Sequence, residues 1–404
     1  MAEMEWLEGG ITAVPGILAA GVHGGIKASG KRDLALVYSS VPARAAAVFT
    51  TNQVKGAPVQ VSMENIKGGT IQAIVALSGV ANVCTGEQGI RDAREMAGIV
   101  TDLLGIPARH VLVASTGIIG QPLPMDRVRT ALPKLVKALS PQGGRNAAEG
   151  ILTTDTVPKE AALRIEVAGR PATIGGIAKG AGMIAPRMAT MFCFLATDVA
   201  ISREALEAVL RRAVDRSFNR ITVDGDQSTS DTVALLANGL AENTPLEKGS
   251  RGLRAFAQGV EAVALRLARM LVKDGEGATK LVEVRVRGAK SRRDALSAAR
   301  SVANSLLVKT ALNGQDPNWG RIMMALGKSP ATVAPDKVGI WIAEEALVAG
   351  GQFRPGARLD RIREIMAGPE YTIQIDLGLG AGQGHVWTCD LSEEYVRINA
   401  KYTT

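Results

Sequence analysis

The sequence predicts a compact α+β protein with two lobes. Its 404 residues exceed the size at which one hydrophobic core normally keeps growing, so more than one lobe is expected. A hydrophobic content of 46% with 21% charged residues is typical of a globular protein. Short apolar runs with the spacing of strands alternate with longer runs that have the spacing of amphipathic helices. Aromatic residues make up only 3%, so Ala, Val, Leu and Ile have to build the core.

The first half of the chain contains four predicted strands and two predicted helices. Runs rich in Val, Ile and Ala predict strands over 34–38, 46–49, 71–77 and 111–115. Thr85 followed by Gln88 has the spacing of a capping box, in which each side chain bonds a free backbone N–H, and this predicts a helix over 86–104. Pro124 is favoured at a helix start and predicts a helix over about 125–139.

The second half shows the same two kinds of pattern. A buried strand is predicted directly after Thr190, and helices are predicted over about 203–217, 257–273 and 292–308. The alternation in KLVEVRVR predicts a half-buried strand at 280–287. Two further strands are predicted at 371–377 and 385–390. Connections are short throughout, which favours a compact protein.

The distribution of charge argues against a nucleic-acid partner. The net charge is +8, with five more basic than acidic residues before residue 190 and three more from there on. Proteins that bind nucleic acid usually carry a basic stripe with aromatic residues nearby. Neither feature is present here, so we expect no nucleic-acid partner.

The cysteines, histidines and N-terminal residues suggest a cytoplasmic protein. The three cysteines and three histidines are far apart and have no metal-ligand spacing: Cys84, Cys193, Cys389, His23, His110 and His385. The N-terminal MAEMEWLEGG lacks the apolar segment of a signal peptide. No apolar run approaches the roughly 18 residues that span a membrane. We therefore expect no metal, inert thiols and no membrane contact.

The most informative local feature is a junction at Thr190. The Gly-rich, Pro-containing segment KGAGMIAPRMA at 179–189 runs directly into this Thr and the apolar run MFCFLATD. A Thr at the head of a strand becomes a chain terminus when the bond before it breaks. Its freed amine can then act as base for its own hydroxyl, the arrangement of N-terminal threonine nucleophiles. The junction thus predicts self-cleavage and covalent catalysis at Thr190.

Two other motifs have both a functional and a structural interpretation. The glycines at 175, 176, 180 and 182 suggest a phosphate loop, but neither a GxxxxGK[ST] nor a GxGxxG motif is present. A loop that needs positive φ or close backbone approach is therefore favoured. Ser115-Thr116-Gly117 follows the strand VLVAS and offers N–H groups and a hydroxyl to a developing oxyanion. Taken alone, this tripeptide is more often a turn.

The segment DGDQSTSDT at 224–232 is the third motif. Its three aspartates have a spacing similar to a calcium loop, yet no Glu follows at the distance that an EF-hand requires. The many small polar residues favour a network of Asx and Ser/Thr turns. A metal site is the weaker interpretation.

Eight blocks that include these motifs occur in a fixed order along the chain. They are GIKASGKRDLALV (25–37), VFTTNQVKGAPV (48–59), ASTGIIGQPLPMD (114–126), ILTTDTVPK (151–159), KGAGMIAPRMATM (179–191), DGDQSTSDT (224–232), NGQDPNWGRIM (313–323) and YVRINAKYTT (395–404). With these blocks the chain resembles the glutamate N-acetyltransferase/ornithine acetyltransferase family of arginine biosynthesis. The resemblance extends from about residue 9 to the last residue.

The resemblance implies a fold and a division of the chain. The fold is the αββα sandwich of this family and of the related self-cleaving aminopeptidases, with a smaller C-terminal α/β lobe. Residues 1–189 would form the α fragment, the N-terminal part of the catalytic domain. Residues 190–280 would begin the β fragment with the nucleophile and a helical segment, and 281–404 would form the C-terminal lobe, whose tail returns to the active site. In the family the fragments stay together, usually as α2β2, and no metal or organic cofactor is used.

The resemblance also implies a reaction and its residues. The chain would cleave itself between Ala189 and Thr190, Thr190 would accept the acyl group, and Thr116 with Gly117 would form the oxyanion hole. Implied substrate contacts are Thr153, Lys179, Thr190, Glu276, Asn399 and Thr404. Acetyl would leave N2-acetylornithine, form an ester with Thr190 and pass to glutamate, and acetyl-CoA is a further candidate donor. Lys179 would bind the substrate carboxylate and Glu276 its ammonium, each by a charge-assisted hydrogen bond.

Several residues depart from the pattern of the family. Leu77, Val80 and Val83 occupy normally polar or small positions, Ser230 replaces a usual Asn, Arg187 stands where an uncharged residue is common, and Lys401 replaces a usual acid. Two alternatives therefore stay open. One is an aminopeptidase or amidase type of hydrolase, in which water takes the acyl group, and the C-terminal blocks argue against it. The other is a non-catalytic descendant, against which the intact predicted site residues argue.

Overall fold

The structure is a computed structural model that describes residues 4–185 and 191–401. Its strands are β1 (Met4–Leu7), β2 (Ile17–Val22), β3 (Leu34–Phe49), β4 (Thr70–Val80), β5 (Val111–Ile118), β6 (Lys159–Val167), β7 (Arg170–Lys179), β8 (Phe192–Thr197), β9 (Thr232–Ala237), β10 (Leu281–Ala289), β11 (Gly339–Ile342), β12 (Glu345–Ala349), β13 (Gln352–Phe353), β14 (Glu370–Asp376) and β15 (Gly382–Cys389). Its α-helices are α1 (Ala57–Asn65), α2 (Gly86–Leu104), α3 (Met125–Lys137), α4 (Gly144–Gly150), α5 (Arg203–Arg216), α6 (Leu253–Lys273), α7 (Arg292–Ala303), α8 (Leu306–Asn313), α9 (Trp319–Gly327), α10 (Leu359–Ala367) and α11 (Glu393–Lys401).

These elements form two compact units. The first comprises residues 4–185, 191–219 and 226–271, and the second comprises residues 220–225 and 272–401. Within these described ranges, no helix combines the length and the apolar character needed to cross a membrane.

A sheet of nine strands forms the centre of the first unit. The strand order is β1-β6-β7-β8-β9-β3-β4-β5, with β2 paired to β3. Strand β3 is 16 residues long, and its first part pairs with β2 while its last part pairs with β9. Its register with β4 shifts between Tyr38 and Ala43, and an irregularity of this kind bends a strand. One long strand therefore belongs to both halves of the sheet.

Four layers build the first unit. One buried core joins residues of β4 and β5, such as Ile74, to residues of β7, β8 and β9, such as Phe194, so the two halves of the sheet face each other. The opposite side of β3, β4 and β5 carries a second core that α1, α2 and α3 cover. Helix α6 covers the outer side of the other half, where a Cβ on Gly259 would lie 2.7 Å from the Ile174 side chain. This order of helix, sheet, sheet and helix confirms the predicted αββα sandwich.

The second unit is the smaller α/β lobe expected toward the C-terminus. Its six strands have the order β13-β12-β11-β14-β10-β15. Val282, Val284 and Val286 of β10 lie in one core with residues of α7, α9 and α10. The residues between them, such as Glu283 and Arg285, are polar. Strand β10 therefore has the alternation of a half-buried strand, as its sequence predicted.

The capping box predicted at the start of α2 was wrong. Thr85 Oγ1 donates to Asn82 Oδ1 at 2.6 Å, and Gln88 Nε2 donates to Asp92 Oδ1 at 2.6 Å, so neither side chain bonds a backbone N–H. Helix α2 nevertheless spans the predicted residues 86–104. Its apolar stripe packs in the core with β4 and β5, and such packing supplies most helical stability in proteins.

Two further predictions of secondary structure were wrong. The helix predicted over 292–308 is interrupted, because Ser305 caps α8 by accepting a hydrogen bond from the Val308 N–H. Gly175 and Gly176 lie inside β7 rather than in a loop. Close packing explains these two glycines, since a Cβ on Gly175 would lie 2.4 Å from the Gly10 carbonyl oxygen.

Candidate active site

The ends of β4 and β5 meet at a pair of glycines. The two strands are parallel, and Gly79 lies opposite Gly117 in their register. Gly117 has a φ of +125°, which L-residues rarely adopt. A Cβ at this position would also lie 2.3 Å from the carbonyl carbon of Gly79. Both conformation and space therefore exclude a side chain at residue 117.

Thr116, next to this glycine, contacts a buried lysine. Thr116 and Lys179 are each 1% exposed, and Lys179 Nζ donates to Thr116 Oγ1 at 3.2 Å. Lys179 is the last residue of β7, and its partner across the sheet is Phe192, the first residue of β8. The fold thus brings together two predicted site residues that are 63 positions apart in the sequence.

A buried aspartate connects Thr153 to the same region. Asp155 Oδ1 accepts hydrogen bonds from Lys159 Nζ at 2.6 Å and from the Gly180 N–H at 2.7 Å. Its Oδ2 accepts from the Thr153 N–H at 3.1 Å. The side chains of Asp155 and Lys159 are both completely buried. One carboxylate therefore fixes the backbone at Thr153 and at the residue after Lys179.

Two lysines keep this carboxylate ionised. Burial acts to raise the pKa of Asp155, but Lys159 and Lys179 outweigh it and lower the pKa from 3.8 to about 2. Two lysines therefore act on one carboxylate in this part of the site. Such a site favours an anionic ligand over a cationic one.

Lys27 is a second amine beside the glycine pair. A Cβ on Gly79 would lie 3.4 Å from Lys27 Cγ, and Lys27 Nζ donates to the Arg32 carbonyl at 2.7 Å. Burial lowers the pKa of Lys27 from 10.5 to about 8, with Asp33 acting against this change and Lys179 adding to it. Lys27 therefore belongs to the same electrostatic environment as Lys179.

Asp231 holds the beginning of β8. The residue is fully buried, and its Oδ1 accepts a hydrogen bond from the Met191 N–H at 2.9 Å. Burial raises the pKa of Asp231 well above 3.8, while the bond from Met191 and the charge of Lys179 act in the opposite direction. Nearby, the Ser230 N–H donates to Ser228 Oγ at 3.0 Å, which confirms the polar-turn interpretation of this segment.

The second unit brings together two other predicted residues. Asn399 Nδ2 donates to Glu276 Oε2 at 2.7 Å, and Glu276 is 7% exposed. The same amide group donates to the Tyr395 carbonyl at 3.0 Å, within helix α11. A Cβ on Gly277 would lie 2.5 Å from the Tyr395 nitrogen, so this helix packs closely against the loop that carries Glu276.

The predicted site residues thus fall into two groups. Thr116, Gly117, Thr153 and Lys179 lie in the first unit, and Glu276 and Asn399 lie in the second. Ala189, Thr190 and Thr404 lie outside the described residues, as does Arg187. Among the described residues, no group of three or more His, Cys, Asp or Glu side chains is arranged to hold a metal ion.

Sequence reasoning missed Lys27, Asp155 and Asp231 as members of the site. Asp155 had a local signal, because Lys159 follows four residues later within the block ILTTDTVPK. Asp231 was noted only for its spacing to other aspartates. Lys27 had no local signal beyond its place in the block GIKASGKRDLALV.

The apolar residues that depart from the family pattern are buried. Leu77 and Val83 are fully buried and Val80 is 8% exposed. Leu77 and Val80 belong to the core that α1, α2 and α3 cover. Their apolar character therefore suits the positions that they occupy.

Comparisons with known proteins agree over nearly the whole chain. A family model described as the ArgJ family matches residues 18–404. A protein of Symbiobacterium thermophilum named "Arginine biosynthesis bifunctional protein ArgJ" is 50% identical over 406 residues, covering 99% of this chain and 100% of that protein. A protein of Geobacter sulfurreducens with the same name is 50% identical over 391 residues, covering 97% of this chain and 100% of that protein. A solved ArgJ structure from Bacillus halodurans is 39% identical, covers 47% of this chain and 99% of that chain, and has a TM-score of 0.45.

Proposed function

Because the chain belongs to the ArgJ family of arginine-biosynthesis enzymes, we propose that it is a self-cleaving acetyltransferase with Thr190 as its nucleophile. The Thr190 hydroxyl attacks the Ala189 carbonyl, and the C–N bond before Thr190 breaks as its nitrogen takes a proton and becomes the free amine. Water then hydrolyses the resulting ester, which releases the Ala189 carboxylate and restores the Thr190 hydroxyl. In each turnover the hydroxyl then takes acetyl from N2-acetylornithine and passes it to glutamate. A free α-amine has a pKa of about 7.7–8.0, so a usable fraction is the neutral base at neutral pH.

The pairing of Lys179 with Phe192 is the observation that carries this proposal. Phe192 follows Thr190 by two residues, and two residues of extended chain span about 7 Å at most. Strand β8, which follows the predicted nucleophile in the sequence, therefore begins at the end of the sheet where Lys179 contacts Thr116. A nucleophile, a hydroxyl donor and a buried cation at one sheet end suit acyl transfer.

Thr116 and Gly117 would stabilise the oxyanion of the tetrahedral intermediate. The Thr116 hydroxyl and the Gly117 N–H are the proposed donors. Both donors belong to the end of β5, and the close approach of Gly79 to Gly117 fixes the backbone there. Donors held in place before the reaction stabilise developing charge without reorganisation, which is why such sites accelerate acyl transfer.

The charged residues support a substrate that is an amino acid. Lys179 lies with Lys159 beside Asp155 and would bind the substrate carboxylate. Glu276, fixed by Asn399, would bind the ammonium of ornithine. Thr153, Asn399 and Thr404 would complete the substrate contacts. In this proposal no metal or organic cofactor takes part.

The proposal includes the assembly of the cut protein. The α fragment, 1–189, and the β fragment, 190–404, stay together as α2β2 in the cytoplasm, with neither nucleic acid nor a membrane as partner. The C-terminal lobe from residue 281 returns its tail to the site. Acetyl-CoA is a second candidate donor, and the name "bifunctional" that relatives carry is compatible with a second reaction.

The test of the proposed function is intact-mass analysis of the purified protein with N2-acetylornithine alone. We expect the fragment that begins at Thr190 to gain about 42 Da, the mass of an acetyl ester on its nucleophile. Glutamate should then discharge the ester and yield N-acetylglutamate. Discharge by water at the same rate without glutamate would instead identify the hydrolase alternative, and no loading from any acetylated amino acid would identify the non-catalytic one.

Removing the Thr116 hydroxyl should slow the chemical step. We expect Thr116→Val, which preserves the size of the side chain, to lower kcat by about 10²–10³ because one oxyanion donor is lost. KM should change much less, since the lost contact acts on the transition state. Steady-state kinetics with both substrates measure the two constants.

Thr101→Val is the matched control for this variant. It removes another largely buried hydroxyl, on α2, which donates a hydrogen bond to the Gly98 carbonyl at 2.7 Å. Its kcat should stay near that of the unmodified protein. A Thr116→Val variant with raised KM and unchanged kcat would assign Thr116 to substrate binding instead.

A further inference from the structure

Lys27 lies over the pair of glycines at which β4 and β5 end. A Cβ on Gly79 would lie 3.1 Å from the Ile26 side chain and 3.4 Å from Lys27 Cγ. Gly79 is opposite Gly117 in the register of the two strands. The side chain of Lys27 therefore lies beside the strand end that carries the proposed oxyanion donors.

A buried aspartate fixes the backbone that carries this lysine. Asp33 is fully buried, and its Oδ2 accepts hydrogen bonds from the Ile26 N–H at 2.7 Å and from the Lys27 N–H at 3.0 Å. Its Oδ1 accepts from the Gly24 N–H. Three backbone donors to one carboxylate hold residues 24–27 in place, so the position of Lys27 is set before any substrate binds.

The ammonium of Lys27 has donors left for a ligand. An ammonium carries three N–H donors. In the described part of the chain, Lys27 Nζ donates one hydrogen bond, to the Arg32 carbonyl at 2.7 Å, and forms no ion pair with a carboxylate. The residue is half-buried, so its charge has lost part of its hydration. A ligand carboxylate would supply both the acceptors and the counter-charge.

The charges around Lys27 place it in one environment with Lys179. Burial lowers the pKa of Lys27 from 10.5 to about 8. Asp33 and Asp155 act to raise this pKa, whereas Lys179 and Lys31 act to lower it. Most of the Lys27 side chains are therefore charged at neutral pH, and a bound anion would raise the pKa further. Two neighbouring ammonium groups favour a ligand with two carboxylates.

Of the two substrates in the proposed function, glutamate has this character. Glutamate and N2-acetylornithine share an α-carboxylate, for which Lys179 is the proposed partner. Their side chains end in opposite charges, a carboxylate in glutamate and an ammonium in ornithine. Glu276, the proposed partner of the ammonium, is itself an anion and repels a carboxylate. The second carboxylate of glutamate thus requires a cation other than Lys179.

We propose that Lys27 is a specificity-determining residue that binds the side-chain carboxylate of the acceptor glutamate. The inference rests on the proposed function and adds the recognition of the acceptor to it. Lys27 then acts when glutamate discharges the acetyl ester and not when N2-acetylornithine forms it. In the discharge the glutamate α-amine bonds to the acetyl carbon, the ester C–O bond breaks, and the amine proton passes to the hydroxyl oxygen.

The test compares glutamate with glutamine, which has nearly the same shape but no side-chain charge. Protein acetylated with N2-acetylornithine and freed of the donor is mixed with either acceptor, and intact mass follows the loss of acetyl. In the unmodified protein we expect kcat/KM for discharge to be about 10–10² higher with glutamate. Lys27→Met should bring this ratio close to one by slowing glutamate, with the rate of acetyl loading nearly unchanged.

Lys31→Met is the matched control, because it removes an exposed lysine of the same segment. Its ratio of glutamate to glutamine should stay near that of the unmodified protein. Loss of structure in Lys27→Met slows both acceptors alike and leaves the ratio unchanged. An unchanged ratio in Lys27→Met therefore overturns the inference, whether or not the rates fall, and so does an unmodified protein without a preference for glutamate.

A second measurement uses the unmodified protein and is independent of how the variant folds. Because Lys27 loses its charge near pH 8, the ratio should fall as the pH rises from about 7 to about 9.5. The charged groups that face Lys27 are Asp33, Asp155, Lys179 and Lys31. Their effect on the α-carboxylate is common to both acceptors and cancels in the ratio.

The outcomes separate this inference from the proposed function. A ratio that does not fall over this pH range overturns the role of Lys27. An unmodified protein that gains no acetyl removes the proposed function itself. A protein that is acetylated, but whose ratio is the same with and without the Lys27 side chain, keeps the proposed function and loses only its acceptor contact.

Discussion

Thr190→Ala is expected to stay a single chain of 404 residues and to transfer no acetyl group. The unmodified protein should give fragments of 189 and 215 residues on denaturing electrophoresis, the second beginning Thr-Met-Phe-Cys. The reason is that one hydroxyl is proposed both to break the bond before it and to carry acetyl. N-terminal sequencing of the smaller and larger bands locates the cut to the residue.

Thr190→Ser is the matched control, because it keeps the hydroxyl and removes one methyl group. We expect this variant still to be cut, at a lower rate, and to gain acetyl from N2-acetylornithine. A full-length band from protein that actively transfers acetyl would contradict the cleavage mechanism. Fragments from Thr190→Ala would show that another group performs the cut.

Asp155→Ala is expected to destabilise the first unit strongly. The substitution leaves Lys159 buried without its carboxylate partner and removes the acceptor of the Gly180 N–H. Breaking a buried ion pair by removing one partner costs about 3–5 kcal/mol, so the free energy of unfolding should fall by that order. Urea-induced unfolding at neutral pH measures the change.

The matched control is an exposed pair of the same charge type. Arg164 Nη1 lies 3.0 Å from Glu5 Oε2, and both side chains are more than half exposed. Arg164→Ala should change stability little, because exposed pairs contribute little. If Asp155→Ala lowered the free energy of unfolding as little as Arg164→Ala does, the ion pair of Asp155 with Lys159 would not form in solution.

The ion pair of Asp155 also predicts a dependence on acid. Its pKa of about 2 in the folded protein lies below its ordinary value of 3.8. A lowered pKa stabilises the folded state above the ordinary value, and this contribution is lost as the pH falls from about 4 to about 2. In Asp155→Ala this part of the acid-induced loss should be missing.

Elements with strong periodicity were predictable from the sequence, and those shaped by packing were not. Helix α2 has the predicted ends at residues 86 and 104, although the capping box that served to predict its start does not form. Strand β3 was predicted as two short strands, because the polar and charged residues between Tyr38 and Ala46 interrupt its apolar pattern. Strand β7 was missed, because Gly175 and Gly176 are typical of loops and only tight packing explains them.

Site residues that belong to a sequence motif were predictable, and contacts that form only when distant strands pair were not. Thr116, Gly117 and Lys179 came from blocks that resemble a family. The contact of Lys179 with Thr116 depends on strands that are not neighbours in the sequence, and no local pattern encodes such a contact. The same holds for Asp231, whose bond to Met191 joins residues 40 positions apart.

The position of β8 and β9 in the sheet has a consequence for the cut protein. Both strands belong to the proposed β fragment, yet β7 lies on one side of them and β3 on the other, and both of those belong to the α fragment. Neither fragment alone can therefore complete the sheet. Separation of the fragments should coincide with unfolding, and reassembly after denaturation should be a second-order process whose yield depends on protein concentration. A protein encoded as one chain would in this way acquire the thermodynamics of an obligate complex.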